Sequence, residues 1–242
     1  MSNKISINNL TFSYGKDRKI LQNVSIEIKK GSFLGISGVN GSGKTTFTYL
    51  LNGLIPQFIK GTLLGEVYID DLSTKTNSIA SLSKKVGMVF QNPDFSIFNL
   101  TVKEEIEFGL RNLNLNNQSQ RIKKALDLVG LTGYLEKDPQ TLSFGEKQKV
   151  CLAAVLSLDT PYIVLDEPSA SLDFKSSLEL YNLLKNLNIK GKTIIVVEHD
   201  TDFLWRFAKE VLVLDQGRIV LYGDVTEVKK RKNILYKLGI KT

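Results

Sequence analysis

Gly38, Gly43, Lys44 and Thr45, in the stretch GVNGSGKTT at residues 38–46, have the types and spacing of the phosphate-binding pattern G-x-x-x-x-G-K-[ST]. The chemistry this pattern serves is the grip on a nucleoside triphosphate. Backbone N–H groups along Val39, Asn40, Gly41 and Ser42 can point inward at phosphate oxygens, and the helix that follows, read from Thr46 on, adds the partial positive charge of its N-terminus. Glycine is needed where a side chain would block so close an approach. The lysine of the pattern reaches the outer phosphates, and its hydroxyl residue holds Mg²⁺, here Lys44 and Thr45.

The pattern works only between a strand and a helix, and the flanking residues supply both. SFLGIS after Gly31 is an apolar run that predicts a buried strand, and TFTYLLNGL has helical spacing. YIVLDEP at 162–168 predicts a second buried strand, ending in Asp166, Glu167 and a proline. Ligands of open α/β sheets gather at the C-terminal ends of strands, so these acids are expected beside the phosphate loop. Asp166 is then a candidate ligand of Mg²⁺, and Glu167 a candidate base for the water that attacks the γ-phosphate. An isolated Asp-Glu pair would simply solubilise a strand end; the phosphate loop gives it two roles. Gln91, closing KVGMVFQNP, and His199, closing TIIVVEHD, sit at the ends of two more such runs. Each alone reads as an ordinary polar loop residue, and in this company each is a candidate for contact with the metal, the water or the γ-phosphate.

Between Gln91 and the acidic strand the pattern changes period. TVKEEIEFGLRNL and SQRIKKALDLVGL have helical spacing, and Ser143 precedes a third helix with Glu146 three residues on, the spacing of a capping box. The chain of 242 residues, 42% apolar, is long enough for a sizeable core. Its longest uncharged apolar stretch, Val150–Leu158, is well short of a membrane span, and the N-terminus lacks the pattern of a secretory signal. The single cysteine, Cys151, predicts a reduced, buried thiol. A net charge of +7 is scattered apart from KKRK at 229–232, which reads as a solvated helix face, so no nucleic-acid partner is expected.

Taken in order, these residues resemble the ATP-binding cassette (ABC) family along nearly the whole chain. GVNGSGKTT resembles its Walker A, Gln91 its Q-loop, LSFGE its signature LSGGQ, YIVLDE its Walker B, SASLD ending at Asp173 its D-loop, and His199 its switch histidine. Tyr14 resembles the aromatic that stacks on adenine. The resemblance implies an α/β fold: a P-loop NTPase core with a mixed sheet, an N-terminal antiparallel β region and an inserted helical subdomain. It implies one nucleotide-binding domain over 1–242, with the core at about 1–91 and 159–242 and the helical subdomain at about 92–158. ATP and Mg²⁺ are the implied cofactors. Thr45, Gln91 and Asp166 are the implied metal contacts, and Glu167, His199, Lys44 and Gln91 the implied catalytic set.

The implied partners are a second ABC ATPase subunit, identical or different, in a head-to-tail dimer, and membrane-embedded transporter subunits. Ser143, Gly145 and Glu146 would then bind nucleotide in trans. The expected location is cytoplasmic, peripheral on the inner face of the cell membrane. Two residues depart from the family pattern, Phe144 for glycine and Glu146 for glutamine. LLNGLIPQFIKGTLLGEV and FQNPDFSIFNLTVKEEIEFGLRNL resemble ATPases of energy-coupling-factor importers for vitamins or transition-metal ions such as cobalt or nickel. In that group Phe95, Ile97 and Phe98 would line a docking groove for the membrane scaffold. Rival readings are a non-transport ABC ATPase on ribosomes or DNA and a slow ATP-binding regulatory module.

Overall fold

In the computed structural model, residues 3–15 and 18–242 are described. Two sheets form. The first is antiparallel, in the order β2-β1-β4-β5, from β1 (Lys4–Ser13), β2 (Lys19–Lys29), β4 (Thr62–Ile69) and β5 (Leu72–Ser73). The second is mixed, in the order β10-β9-β3-β8-β7-β6. Its strands β3 (Phe33–Gly38), β6 (Val86–Val89), β7 (Tyr162–Asp166), β8 (Thr193–Val197) and β9 (Glu210–Asp215) run parallel, and β10 (Arg218–Asp224) pairs antiparallel at one edge. The α/β class, the mixed sheet and the antiparallel N-terminal region are as expected from the sequence.

Every residue of β3, β7 and β8 is buried. Side chains alternate across a strand, so each strand feeds two cores at once. Ile163, Leu165, Ile194, Val196, Val211 and Val213 face one core. Tyr162, Val164, Ile195, Val197, Leu212 and Leu214 face the other. This is why the strands read as unbroken apolar runs rather than as alternating ones.

The second core is closed by the antiparallel sheet and by α1 (Lys44–Leu51), which buries Phe47, Leu50 and Leu51. The short α2 (Leu54–Gln57) and α3 (Ile79–Ser83) complete that side. The first core is closed by α4 (Val102–Asn112), α5 (Gln118–Val129) and α6 (Phe144–Ser157), with α7 (Phe174–Ile189) and α8 (Asp202–Phe207). α4 and α6 each start on a reciprocal capping box, Thr101 with Glu104 and Ser143 with Glu146. The last helices, α9 (Val225–Lys230) and α10 (Lys232–Lys237), leave the KKRK run exposed, as its composition suggested. Cys151 is partly exposed rather than fully buried, and burial still pushes its thiol up to about 12, which keeps it protonated and inert.

One expectation fails. Ile97 does not share an exposed groove with Phe95 and Phe98: it is 5% exposed and packs in the helical core with Val102 and Ile106, while its two aromatic neighbours stand out at 90% and 63% exposure. The turn Pro93–Phe95 rotates the chain so that the β-branched side chain faces in and the rings face out.

α6 lies so close over β6 that a Cβ on Gly87 would come within 2.4 Å of Val155 Cγ1. Gly87→Ala is therefore expected to destabilise the chain by roughly 1–3 kcal/mol through overpacking, read by urea unfolding. In a Val155→Ala background the same change should cost under about 1 kcal/mol; an equal cost in both backgrounds would show that this contact does not set the helix–sheet spacing.

Candidate nucleotide site

The C-terminal ends of β3, β6, β7 and β8 lie side by side, and each delivers one of the groups singled out from the sequence. β3 ends at Gly38 and turns through Val39–Gly43 into α1. Gly38 has φ +153°, and a Cβ there would sit 2.1 Å from the Leu214 carbonyl oxygen, so only glycine lets the loop leave the sheet against β9. The loop is braced by Ser42 N–H donating to the Val39 carbonyl (3.1 Å) and Gly217 N–H donating to the Ser42 carbonyl (3.0 Å).

Lys44, 5% exposed, folds back over this loop and donates to the carbonyls of Gly38 (2.8 Å) and Val39 (3.2 Å). Burial lowers its pKa, while Glu167 and Asp166 pull the other way and favour the ammonium. An ammonium has three N–H donors, so one remains for a phosphate. Thr45, Val39, Asn40 and Gly41 are exposed, at the start of α1 and along the loop, where an anion can reach them. Thr46 is buried and is bonded to Tyr14, hydroxyl to hydroxyl, at 2.9 Å. This ties the half-exposed Tyr14 ring, set edge-on against Phe12 at 5.0 Å, to the start of α1.

Asp166, 2% exposed at the end of β7, is flanked by Thr45, whose hydroxyl bonds its carboxylate. Burial pushes the Asp166 carboxyl up to about 6 against the opposing influence of Thr45 and Lys44. Its Oδ1 is buried without a partner. A buried carboxylate oxygen left open beside a hydroxyl, in an oxygen-only donor set, suits a hard divalent cation such as Mg²⁺.

Glu167 follows with φ +49°, a left-handed backbone that a side chain rarely adopts, held by its own N–H donating to the Val197 carbonyl at 2.9 Å. That turn places its carboxylate between two groups from neighbouring strand ends. Gln91 Nε2 donates to Oε2 at 2.6 Å, and His199 Nε2 lies 3.2 Å from Oε1. Lys44, Thr45, Gln91, Asp166, Glu167 and His199 thus form one cluster around the loop.

Ser143, Gly145 and Glu146 stand apart from it. Among the described residues no hydrogen bond or ion pair joins them to the loop. The Glu146 carboxylate is occupied at the start of α6: Tyr134 hydroxyl donates to Oε1 (2.7 Å), while Ser143 N–H and Ser143 hydroxyl both donate to Oε2 (2.9 Å each). Tyr134 first and Ser143 second hold this carboxyl below the usual range. Phe144 is partly exposed beside it.

Sequence reasoning passed over Glu198. It is 2% exposed, accepts from Ser169 N–H (3.2 Å), Ser169 hydroxyl (2.7 Å) and Tyr181 hydroxyl (3.1 Å), and so links the loop after Glu167 to the strand end before His199. Its position at the end of an apolar run was the available signal.

The sheet order and the loop it carries define a P-loop nucleoside triphosphatase. Residues 21–170 match the family of ABC transporters. A Pyrococcus horikoshii protein named "Putative ABC transporter ATP-binding protein" is 46% identical over 99% of this chain and 86% of its own length. Among solved structures, cbiO1 of Clostridium perfringens, described as part of the ABC transporter complex cbiONQ, superposes with a TM-score of 0.84 at 30% identity over 98% of this chain and 94% of its own. The ABC transporter cassette MJ0796, solved as a dimer, gives 0.81 at 31% identity over 91% and 98%. A post-hydrolysis state of that cassette holds ADP and Pi. The chain belongs to the ABC transporter family, as an ATP-binding subunit with ATPase activity.

Burial pushes the Glu198 carboxyl up to about 7 from an ordinary 4.5. The folded chain therefore keeps a proton that the unfolded chain releases between those values, and stability falls as pH rises through that window. Replacing it with a neutral isostere, Glu198→Gln, should remove roughly 2 kcal/mol of that loss between pH 5 and pH 8. Urea unfolding of both proteins at the two pH values checks it; an identical difference at both would uncouple Glu198 from the pH dependence.

Proposed function

We propose that this chain is the ATP-hydrolysing subunit of a membrane importer of the energy-coupling-factor type, serving a vitamin or a transition-metal ion such as cobalt or nickel. The observation that carries the catalytic part is the Gln91–Glu167–His199 chain of contacts beside Lys44 and Asp166. The importer part rests on the likeness to cbiO1 and on the exposed rings of Phe95, Phe98 and Phe108 just past Gln91, with Phe98 edge-on to Phe108 at 4.9 Å.

In this reading water attacks the γ-phosphate in line. Lys44 and the N–H groups of Val39–Thr46 carry the charge that builds on the transferring group. Glu167 orients the water and takes its proton, and His199, already against Glu167, contacts the γ-phosphate and registers its presence. Thr45 and Asp166 would hold Mg²⁺, which when bound would supply positive charge to the phosphate chain. Gln91 holds Glu167 through Nε2, and that bond leaves its amide oxygen, the atom able to contact a hard cation, for the metal. Tyr14 stacks on adenine.

The chain works as one nucleotide-binding domain, with a core at about 1–91 and 159–242 and a helical subdomain at about 92–158. It pairs head-to-tail with a second ABC ATPase, whose signature completes the site, and sits on the inner face of the cell membrane against transporter subunits. No helix among the described residues is long and apolar enough to cross a membrane. Ser143 spends its hydroxyl on Glu146, which weakens what this chain offers in trans and favours a different ATPase over a second copy.

Glu167→Gln should lower ATP turnover at least about 100-fold with nucleotide affinity within a few-fold, measured by phosphate release and calorimetry. Near-normal turnover would remove Glu167 from the role of base. Affinity purification from membranes should bring down a second ABC ATPase and a membrane-spanning substrate-binding protein; recovery of ribosomes or DNA instead would overturn the importer.

A further inference from the structure

Glu198 follows the last residue of β8 and precedes His199, and the two differ in surroundings: the carboxylate is enclosed, whereas the imidazole is 43% exposed. Withdrawing a carboxyl from water is costly unless donors meet it. Here three donors converge on one oxygen, Oε1: the N–H and the hydroxyl of Ser169, from the loop after Glu167, and the hydroxyl of Tyr181, from α7. Two of the three belong to the segment that leaves Glu167.

That segment is fastened to the end of β8 at successive residues. Glu167 N–H donates to the Val197 carbonyl (2.9 Å), and Ser169 N–H and hydroxyl donate to Glu198, the next residue along (3.2 and 2.7 Å). A second tie lies farther on. The Tyr181 ring stacks on Phe203 of α8 at 4.8 Å, and Phe203 meets Phe174, the first residue of α7, at 5.7 Å. Residues 169–173 are thus held at both ends against the stretch that carries His199, by hydrogen bonds at one end and by rings at the other. Gln91 is joined differently: it comes from beyond β6 and meets Glu167 through a bond of 2.6 Å.

We propose that Glu198 is a positioning residue for ATP hydrolysis: by holding Ser169 it fixes the turn that carries Glu167 at its present spacing from His199, and it does so without touching nucleotide. The proposal rests on the reading of Glu167 as the base. Glu167 has a left-handed backbone that other conformations would relieve, so the turn stays in place only while its flanks are held. Without the Glu198 carboxylate the bond to Val197 remains on one side and the Ser169 side is released. The Glu167 carboxylate then spreads over several positions, and a displacement of about 1 Å in a reacting group can cost about 100-fold in rate. The grip on ATP is carried by the loop before α1 and by Lys44, which leave from β3, so the loss falls on kcat and spares KM.

The test compares Glu198→Ala, Glu198→Gln and Ser169→Ala, each in the full 242-residue chain with its co-purifying partners left in place. Glu198→Ala should lower kcat for phosphate release at least about 30-fold, and Ser169→Ala, which removes only one of the donors, about five-fold. Both should leave KM for ATP within about two-fold. Glu198→Gln keeps a carbonyl oxygen for the same donors and should stay within about three-fold of the unaltered chain. Hydrogen exchange without nucleotide reads the hold directly: amides of residues 169–172 should exchange at least about ten-fold faster in Glu198→Ala and about three-fold faster in Ser169→Ala, with those of β8 unchanged. Unaltered exchange at 169–172 would overturn the clamp, and faster exchange with normal kcat would overturn its part in hydrolysis. A rise in KM matching the fall in kcat, or a Glu198→Gln as slow as Glu198→Ala, would assign Glu198 to nucleotide binding or to a role for its charge and overturn the proposal equally. Ser169→Ala carries the test if Glu198→Ala does not fold. Glu167→Gln, run alongside, separates this inference from the reading it rests on: full turnover there removes the base, whereas an inactive Glu167→Gln beside a normal Ser169→Ala removes only the positioning role.

Discussion

Opposite charges withdrawn from water at the ends of two strands separated by one other organise this molecule. Lys44 and Asp166 are each almost fully buried, and burial disfavours the charged form of both. Neither would be tolerated alone in such a position; each is made acceptable by the other, by the loop carbonyls of Gly38 and Val39, and by the Thr45 hydroxyl. The fixed distance between β3 and β7, set by β8 pairing with both, is what keeps these groups in reach of one another. The balance is incomplete by one oxygen and one ammonium hydrogen, the two groups the cluster leaves open to a ligand.

Glu167 illustrates how much local geometry such a cluster demands. Its backbone leaves the sheet in a left-handed conformation, and three neighbouring elements hold it there: Val197 through the main chain, Gln91 and His199 through the carboxylate. Strain at one residue is affordable because its surroundings over-determine it. The same loop is fastened from behind by Ser169 on Glu198, so the segment from Asp166 to Ser169 has few degrees of freedom left.

The parts of this arrangement legible in the sequence were those where burial on both faces leaves no ambiguity. β3, β7 and β8 announced themselves as unbroken apolar runs, and the phosphate loop, the acidic pair and the histidine lay at their ends because that is where a parallel sheet presents its ligands. The capping box at Ser143 was equally plain, since it needs only residue type and spacing. Ile97 was misjudged because a single turn of 3₁₀ helix has no periodicity from which to tell inside from outside. Glu198 was passed over for a related reason: a polar residue at a strand end reads as facing solvent, and only tertiary packing reveals that it is enclosed.

The double allegiance of the central strands bears on how such a chain can vary. With successive residues of β7, β8 and β9 committed to opposite cores, inserting or deleting one residue inside a strand would invert every side chain beyond it and spoil both layers together. Length changes can therefore accumulate only in the connections, which confines evolutionary novelty in this architecture to the helical insert and the surface turns and leaves the sheet as an inherited, fixed-length ruler.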